Sequence, residues 1–358
     1  MKTLTTKFAF GTKTLAATLI AAAALAGCAT DPGNPTDPTD PTNPTDPTDP
    51  LPPDVDASGS YKVKSTFDLA TNLPGQVGDI ANQFIAMTDD PDDPTNWLLD
   101  QLINQTSGTV KSILQGAKPF VAGYLNDRLL EIAPDFVTTM VTVGNDFGQV
   151  SKNFGLNETL DVTKSADNWV AKHTVTGARF KIDNVETDYP FAQYGAQNIT
   201  VENVGMQLDS SGKLTLADHT VPLKYGAVLH IAIDNAIIPS LDPSASNLGE
   251  LLQHQVDCNV VGQAVNQAVQ DAVGFSFGSS VFTSACNVGL QQAANAIYNK
   301  LNDIDGSALE FQINGTAKAL DKDNNNQIDT IQTGTWAGTC SYAGTPAPLS
   351  TATFYGSR

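Results

Sequence analysis

The sequence predicts an α+β fold, in which helical segments pack on a mostly antiparallel sheet. Hydrophobic residues alternate with a period of two over Ser60–Leu69 and again between about 158 and 240, a spacing typical of half-buried strands. From 76 to about 147, and again over Leu248–Leu301, they recur three and four residues apart, which is typical of amphipathic helices. Strand, helices, antiparallel strands, helices and closing strands therefore follow one another along the chain.

The individual strands are predicted from alternation and from turns such as Asp209–Gly212. In the last strand of the middle block, Leu229, Ile231 and Ile233 share one face, and His230 lies on the other. The predicted strands of that block are Leu160–Thr163, Trp169–Val175, Arg179–Val185, Ile199–Leu208, Lys213–Ala217 and Val228–Asp234. Near the C terminus, Leu309, Phe311 and Ile313 open a further strand, and Ile328–Ser341 and Thr351–Tyr355 complete the chain.

Composition indicates a globular protein and excludes one class of partner. The chain has 358 residues, of which 41% are hydrophobic, and its formal net charge is −19 with a sequence pI near 4.3. Because no basic surplus exists to displace counterions from phosphates, we expect no nucleic-acid partner.

The N terminus resembles a bacterial lipoprotein signal. Lys2, Lys7 and Lys13 precede a short apolar run over residues 15–24, which is below the roughly 20 residues that a bilayer span needs. The run ends in Leu25-Ala26-Gly27-Cys28, which resembles the lipobox of bacterial lipoproteins. The resemblance implies cleavage before Cys28 and attachment of a diacylglyceryl group to it. The alternative is an ordinary secretory signal with an incidental cysteine.

Three segments follow from this assignment. They are a signal peptide over 1–27, a lipidated Cys28 with a disordered Pro/Thr/Asp stalk over 28–54, and a single α+β domain over 55–358. The stalk repeats Asn/Asp-Pro-Thr, a composition that favours extended polyproline II and acts as a spacer. Cleavage removes three lysines and leaves 16 basic against 38 acidic residues, a net charge of −22. The acyl chains, not the charge, would therefore hold the protein on a membrane.

Localisation follows from the residue after the lipidated cysteine. In the lipoprotein family an Asp there favours the inner membrane, and Ala29 stands in this position. The resemblance thus implies a lipid-anchored protein of the bacterial outer membrane, facing the periplasm or the cell surface.

The cysteines suggest one disulfide. Cys258 and Cys286 lie in successive helical segments that must fold back on each other, and an exported protein meets an oxidising compartment. We therefore predict that they are paired and that Cys340 is a spare thiol. The alternative is three buried, reduced thiols.

One loop has the spacing of a calcium site. Asp321, Asp323, Asn325 and Asp329 offer oxygens at positions one, three, five and nine, Gln327 offers its backbone carbonyl at position seven, and Ile328 is apolar. The loop resembles those of EF-hand, dockerin and thrombospondin-repeat proteins, which implies structural calcium. Asn326 replaces the usual glycine, and Gln332 replaces the bidentate Glu of an EF-hand. The alternative is a polar hairpin turn that binds nothing.

Other motifs argue against an enzyme. Gly274-Phe275-Ser276-Phe277-Gly278 matches a nucleophile elbow, but a helical pattern precedes it, so a break between two helices is the better interpretation. The histidines His173, His219, His230 and His254 are scattered without metal-ligand spacing, and we assign no catalytic residue.

Two functions are expected from these features. The order of elements is similar to that of tubular lipid-binding proteins, which implies a non-enzymatic lipoprotein that binds an apolar ligand or lipid. The alternative is a structural or adhesion module that calcium stabilises and the stalk holds off the membrane. The sequence names no protein partner.

Overall fold

A computed structural model of the chain describes Leu51, residues 55–75, 77–78 and, apart from 167, 183, 275 and 277, residues 145–358. Between these ranges it also describes 103, 111, 112, 115 and 142. All of them belong to one structural unit, which runs from Pro44 to Arg358. The signal peptide, Cys28, most of the stalk and most of the first predicted helical block, 76–147, lie outside the described residues.

The sheet of the described residues has ten strands, paired antiparallel. Their bounds are β1 Gly59–Phe67, β2 Phe154–Ser165, β3 Asn168–Ile182, β4 Val185–Pro190, β5 Ile199–Leu208, β6 Lys213–Leu223, β7 Leu309–Leu320, β8 Thr330–Tyr342, β9 Thr345–Pro348 and β10 Ala352–Ser357.

The sheet closes on itself, whereas the sequence predicted only helices lying on a sheet. Strand β10 pairs with β1 on one side and with β8 on the other, so that eight strands form a closed ring. Strands β4 and β9 add to the outside of that path, on β3 and β8. The mixed, mostly antiparallel fold class is confirmed, but closure joins Lys62 to Ser357 and leaves no local trace in the sequence.

The strands turn one face inward, and irregularities bend them into the ring. In β1 the buried residues are Tyr61, Val63, Ser65 and Phe67, which alternate with more exposed ones. The register shifts between β2 and β3, between β3 and β5, and between β6 and β7. Such bulges increase strand bending, which ring closure requires.

Among the described residues, a helical stretch at 145–152 precedes β2, and five further helices follow β6 in one block. Their bounds are α1 Tyr225–Ala232, α2 Ile238–Leu241, α3 Leu248–Gln255, α4 Cys258–Val273 and α5 Ser279–Ile304, with a π-helical turn at Ile233–Ile237 between α1 and α2. A 3₁₀ turn at Phe191–Gln193 follows β4. The helical block predicted over Leu248–Leu301 is thus divided between α3, α4 and α5.

Helix α1 was predicted as the strand Val228–Asp234, and that prediction is wrong. Its apolar residues are buried on all sides, including Val228, Leu229 and Ile231, so the expected contrast between two faces does not exist. A helix that is apolar all round is a buried helix. The carboxylate of Asp305 accepts hydrogen bonds from the backbone N–H groups of Gly226 and Ala227, both at 2.8 Å, and so caps the start of α1.

Other strand predictions differ in their bounds. Ile199–Leu208 is confirmed as β5, but Trp169–Val175 and most of Arg179–Val185 belong to one strand, β3, which ends at Ile182, while Val185 starts β4. The chain continues through Gly177 without a turn, and β4 pairs with β3 there, with Pro190 opposite Gly177. A Cβ at Gly177 would stand 2.7 Å from the carbonyl oxygen of Tyr189.

Helices α4 and α5 form a hairpin joined by a disulfide. The structure links Cys258 at the start of α4 to Cys286 in α5, with their Cα atoms 5.5 Å apart, and leaves Cys340 as a buried thiol in β8. Gly274 ends α4 in the left-handed conformation, with φ of 83°, and α5 starts at Ser279. The elbow-like motif therefore lies between two helices, as predicted.

We expect loss of the disulfide to destabilise the protein. With a sequence separation of 28 between the cysteines, the chain-entropy model gives about 3 to 4 kcal/mol for the double substitution Cys258→Ala, Cys286→Ala. Urea unfolding of the purified protein measures the loss, and Cys340→Ala is the control that keeps the bridge. In the wild type, alkylation of the unfolded but unreduced chain should modify Cys340 and spare the pair. Modification of all three would refute the pairing.

Candidate functional site

The predicted calcium loop connects β7 to β8 and brings its carboxylates together. One oxygen each of Asp321, Asp323 and Asp329 lie within 4.8 Å of one another, the one such group of three among the residues that the structure describes. The carboxylate of Asp321 also accepts hydrogen bonds from the backbone N–H groups of Asn325, at 3.1 Å, and Asn326, at 2.8 Å. The loop therefore wraps around its first carboxylate.

The backbone of the loop accommodates the missing glycine. Asn326 has φ of 62° and Asn324 has φ of 59°, both in the left-handed region. Asparagine tolerates this region better than other residues with a side chain. Asn326 thus takes the conformation for which related loops use glycine, and Ile328 beside it is fully buried.

The side-chain oxygens of the other two predicted ligands, Asn325 and Gln327, each accept a hydrogen bond from another residue. The Oδ1 atom of Asn325 accepts from the N–H of Gln327 at 2.8 Å, while the side chain of Gln327 accepts from Arg358 at 2.8 Å, so only its carbonyl suits a cation. Gln332 lies within β8 opposite Lys318 and brings no carboxylate. Three carboxylates with amide and carbonyl oxygens fit a hard cation such as Ca²⁺, with fewer protein ligands than an EF-hand supplies.

The loop lies where the two ends of the described domain meet. Asp56, just before β1, donates its N–H to the carbonyl of Asn326 at 2.8 Å and accepts from the N–H of Ile328 at 3.0 Å. Arg358 donates its N–H to the carbonyl of Asp329 at 3.1 Å. These contacts join the loop to the seam of the closed sheet, which we define as the meeting of β1, β10 and β8.

The side chain of Arg358 tightens the same seam. Its guanidinium donates to the carbonyl of Ser58 and lies over the ring of Tyr61, with 5.3 Å between Cζ and the ring centroid. The hydroxyl of Tyr61 in turn donates to the carbonyl of Ala57 at 2.8 Å. Cation binding at the loop would therefore act on Asp56 and on the start of β1.

A second polar group, which the sequence analysis missed, lies inside the closed sheet. We call it the polar layer: Ser65 of β1, Glu158 of β2, His173 of β3, His219 of β6 and Trp336 of β8. All but His219 are buried. The two histidines, described above as scattered, lie 2.9 Å apart between Nδ1 of His173 and Nε2 of His219. The sequence signal for this layer is the presence of two ionisable residues, Glu158 and His173, at strand positions that face the interior.

A chain of hydrogen bonds fixes the orientation of the side chains next to Glu158. Trp336 donates its indole N–H to the hydroxyl of Ser65 at 2.9 Å, and Ser65 donates to Oε2 of Glu158 at 2.5 Å. The indole ring of Trp336 stacks on the ring of His173, with 5.7 Å between centroids. On the other side of Ser65, Arg179 donates to its backbone carbonyl at 3.2 Å.

The network also assigns the protons of the histidines. Nδ1 of His219 lies 2.8 Å from the carbonyl oxygen of Ala217, which only accepts, so this nitrogen carries a hydrogen. Burial is the largest of the causes that lower the pKa of His219, and the ring is neutral at pH 7. Its Nε2 then accepts from Nδ1 of His173.

Glu158 and His173 face each other within the layer. Nε2 of His173 lies 3.5 Å from Oε1 of Glu158, an ion-pair distance longer than an ordinary hydrogen bond. This nitrogen is buried and makes no hydrogen bond, whereas the other ring nitrogen of His173 is bonded to His219.

The other two histidines have local partners. His230 stacks on Tyr298, with 4.9 Å between centroids, and its Nε2 lies 3.2 Å from Asn302. His254 lies 2.8 Å from Asp242, whose pKa is lowered to about 2, first by the hydroxyl of Ser244 and then by His254. Burial raises the pKa of Cys340 to about 12, so this thiol is not a ready nucleophile.

A surface pocket of about 280 Å³ lies beside the end of β3. Its lining is mainly polar and consists of Asp146, Gln149, Asn153, Lys181, Ile182 and Asn184. Such a lining does not suit an acyl chain, because ligand pockets for apolar groups are mostly hydrophobic.

Comparisons with known proteins give no relative from which a function could be transferred: no protein family, curated protein or solved structure matches the chain. In the part of the chain that the structure describes, no helix is both long and apolar enough to cross a membrane.

We expect Glu158→Ala to destabilise the fold. Its loss leaves the hydroxyl of Ser65 and Nε2 of His173 without their acceptor in the interior, and breaking a buried pair costs about 3 to 5 kcal/mol. Asp161→Ala is the matched control, because that carboxylate lies on the same strand and accepts from Ser60 at the surface, where the cost is below about 1 kcal/mol. Urea unfolding at pH 7.5 measures both; equal losses would contradict a special role for Glu158.

Proposed function

We propose that this protein is a lipid-anchored, exported, non-enzymatic protein of the bacterial outer membrane, and that its domain is a structural or adhesion module stabilised by calcium. The observation that carries the calcium part is the meeting of Asp321, Asp323 and Asp329 at the seam of the closed sheet. A cation bound there would hold the loop, the start of β1 and the end of β10 together.

The anchor is proposed from the N-terminal sequence. Cys28 would carry the acyl chains, and the stalk over 28–54 would separate them from the domain. A mature net charge of −22 gives no attraction to anionic lipid, so the protein would depend on the acyl chains for attachment. An acidic surface on a spacer also keeps the domain away from the membrane, which suits contact with a partner that the sequence does not identify.

The absence of an enzymatic role is proposed from the surroundings of the candidate nucleophiles. Ser276 of the elbow-like motif donates to the side chain of Asn266 at 2.8 Å and lies in a connection between helices. A nucleophile elbow instead follows a strand and needs a base within reach. Cys340 is buried, and burial keeps its thiol protonated.

Binding of an apolar ligand or lipid is the second candidate. Two residues of α5 favour it: Val281 and Val288 are seven residues apart, on one face of the helix, and remain 42% and 48% exposed. The polar lining of the pocket beside β3 weighs against it. The similarity to tubular lipid-binding proteins concerns the order of elements and remains part of this second proposal.

We expect calcium to stabilise the mature protein. At a calcium concentration about 100 times the dissociation constant, binding to the folded state adds about 2.7 kcal/mol, which raises the melting temperature by roughly 5 °C. Replacement of two ligands, Asp321→Asn with Asp329→Asn, should abolish the shift. Differential scanning calorimetry with calcium and with chelator measures it.

The control for the calcium test is Asp209→Asn. Asp209 also stabilises a tight turn between two strands, where its carboxylate accepts hydrogen bonds from the N–H groups of Ser211 and Lys213. It does not belong to the group of three carboxylates that could hold a cation. This variant should keep the full calcium shift. An identical melting temperature with calcium and with chelator in the wild type would remove the metal site.

We expect the mature protein to carry acyl chains on Cys28 and one calcium ion. Native mass spectrometry of the protein released from detergent micelles should show both masses, and Cys28→Ala should lose the acyl mass while keeping the calcium. Equal acylation of the variant would exclude Cys28 as the anchor. A further lipid mass that survives in Cys28→Ala would favour the second candidate, and a bare chain would contradict both the anchor and the calcium site.

A further inference from the structure

The wall of the closed sheet is not paired along its whole length. Strands β5 and β6 share three ladder pairs, from Met206 opposite Leu216 to Leu208 opposite Leu214. Beyond Met206 and Leu216 no ladder pair joins β5 to β6, and we define the unpaired stretch as residues 199–205 of β5 and 217–223 of β6. On their other sides β5 remains paired with β3, and residues 219–223 remain paired with β7. Pro222 lies in the unpaired stretch, and proline in a strand is confined to edges and irregular positions because it lacks an N–H.

His219 belongs to the unpaired stretch and points to the interior. The register of β6 against β7 shifts between Leu216 and His219, and the side chain of His219 reaches past β5 to His173 on β3. His219 is half-buried, whereas His173 is buried, so His219 is the member of the polar layer that meets solvent. The backbone of His219 pairs with Ile313 of β7, and no ladder pair ties it to β5, so its side chain can leave the interior without breaking a ladder pair.

We propose that His219 is an acid-operated latch on the unpaired stretch: protonation of His219 breaks the bond between the two histidines and releases His219 from the interior. This inference is independent of the calcium site and of the anchor. It assigns a conformational response to acid, which an exported protein meets when the medium changes.

Stereochemistry makes the bond between the histidines incompatible with protonation of His219. With His219 neutral, Nδ1–H of His173 donates to Nε2 of His219, and Nδ1–H of His219 donates to Ala217. A proton taken up from solvent at Nε2 of His219 would set two N–H donors against each other at 2.9 Å. His219 must therefore leave His173, and water or buffer supplies the proton.

The charges around the layer do not relieve this conflict. On β6, Asp218 favours a charged His219, but its carboxylate is engaged by Asn314 of β7 at 2.8 Å. On β2, Glu158 also favours the charge, while His173 on β3 opposes it. The groups facing the layer from β1 and β8 are the hydroxyl of Ser65 and the indole of Trp336, and neither carries a charge. Arg179 of β3 donates to Ser65 from its other side.

The direction of the pH effect follows from the pKa of His219. Burial lowers this pKa below the ordinary value of about 6.5, so the folded, closed protein binds the proton more weakly than the unfolded or opened one. The stabilisation by the latch is complete above about pH 6.5 and is lost as the pH falls through the lowered pKa. Acid therefore favours release.

The test reads the indole of Trp336, which stacks on His173 and stands next to His219. The mature protein in detergent micelles is labelled with ¹⁵N in Trp and His only, and spectra are followed from pH 7.5 to 5. We expect the indole N–H resonance of Trp336, assigned with Trp336→Phe, to shift with a midpoint below pH 6.5. His219→Gln keeps an acceptor for His173 but takes no proton, and should remove the shift.

His230→Gln is the matched control, because His230 also stacks on an aromatic ring and lies outside the layer. This variant should titrate like the wild type at Trp336. The same midpoint in His219→Gln, or a Trp336 resonance that does not move in the wild type, would overturn the proposal. If His219→Gln does not fold, the imidazole spectra of the wild type test the proposal instead. The latch requires that His219 is neutral at pH 7.5 and carries its hydrogen on Nδ1. Any other tautomer of His219 refutes the proposal.

Discussion

The pairing of β10 with both β1 and β8 is the constraint on which the rest of the structure depends. A strand at the end of the chain completes a ring that begins near residue 59, and without it both β1 and β8 would present open edges there. Closure removes such edges and fixes which strand faces turn inward. The polar layer follows from this, because residues from β1, β2, β3, β6 and β8 meet only when the ring is closed.

A polar layer inside an apolar interior has a cost that good geometry must offset. Taking a carboxylate and an imidazole out of water is unfavourable, and the gain from pairing them compensates only when their other hydrogen-bonding atoms are satisfied. Here Ser65 satisfies one oxygen of Glu158, Trp336 satisfies Ser65, and His219 satisfies Nδ1 of His173. Each member fixes the orientation of the next, so the layer specifies one register of the strands that carry it.

Local features of the fold were predictable from the sequence, whereas features that depend on distant strands were not. Alternation located β5 correctly, and spacing placed Cys258 and Cys286 in adjacent helices and the three Asp residues in one loop. Alternation failed at Val228–Asp234 because a helix buried on all sides shows the same apolar residues as a strand. Glu158 escaped notice because β2 starts at Phe154, six residues before the strand predicted there.

The histidine pair illustrates the same limit. His173 and His219 are 46 residues apart in the sequence. Their rings come into contact because the chain between them forms two strands and because the register of β6 against β7 shifts before His219. Metal or catalytic spacing along the chain could not have revealed them, since their meeting depends on the order β3, β5, β6 in the sheet and on the end of the β5–β6 ladder.

The loop and the polar layer share structural elements although they lie at different places in the ring. The loop joins β7 to β8 and contacts the start of β1, while the layer takes Trp336 from β8 and Ser65 from β1. Trp336 also stacks on Phe354 of β10, the closing strand, with 4.2 Å between ring centroids. The free-energy effects of two sites are additive only when the sites share no partners, and both the loop and the polar layer act on β1, β8 and β10. A cation that tightens the seam and a proton that disturbs the layer therefore act on one closed sheet with opposite sign.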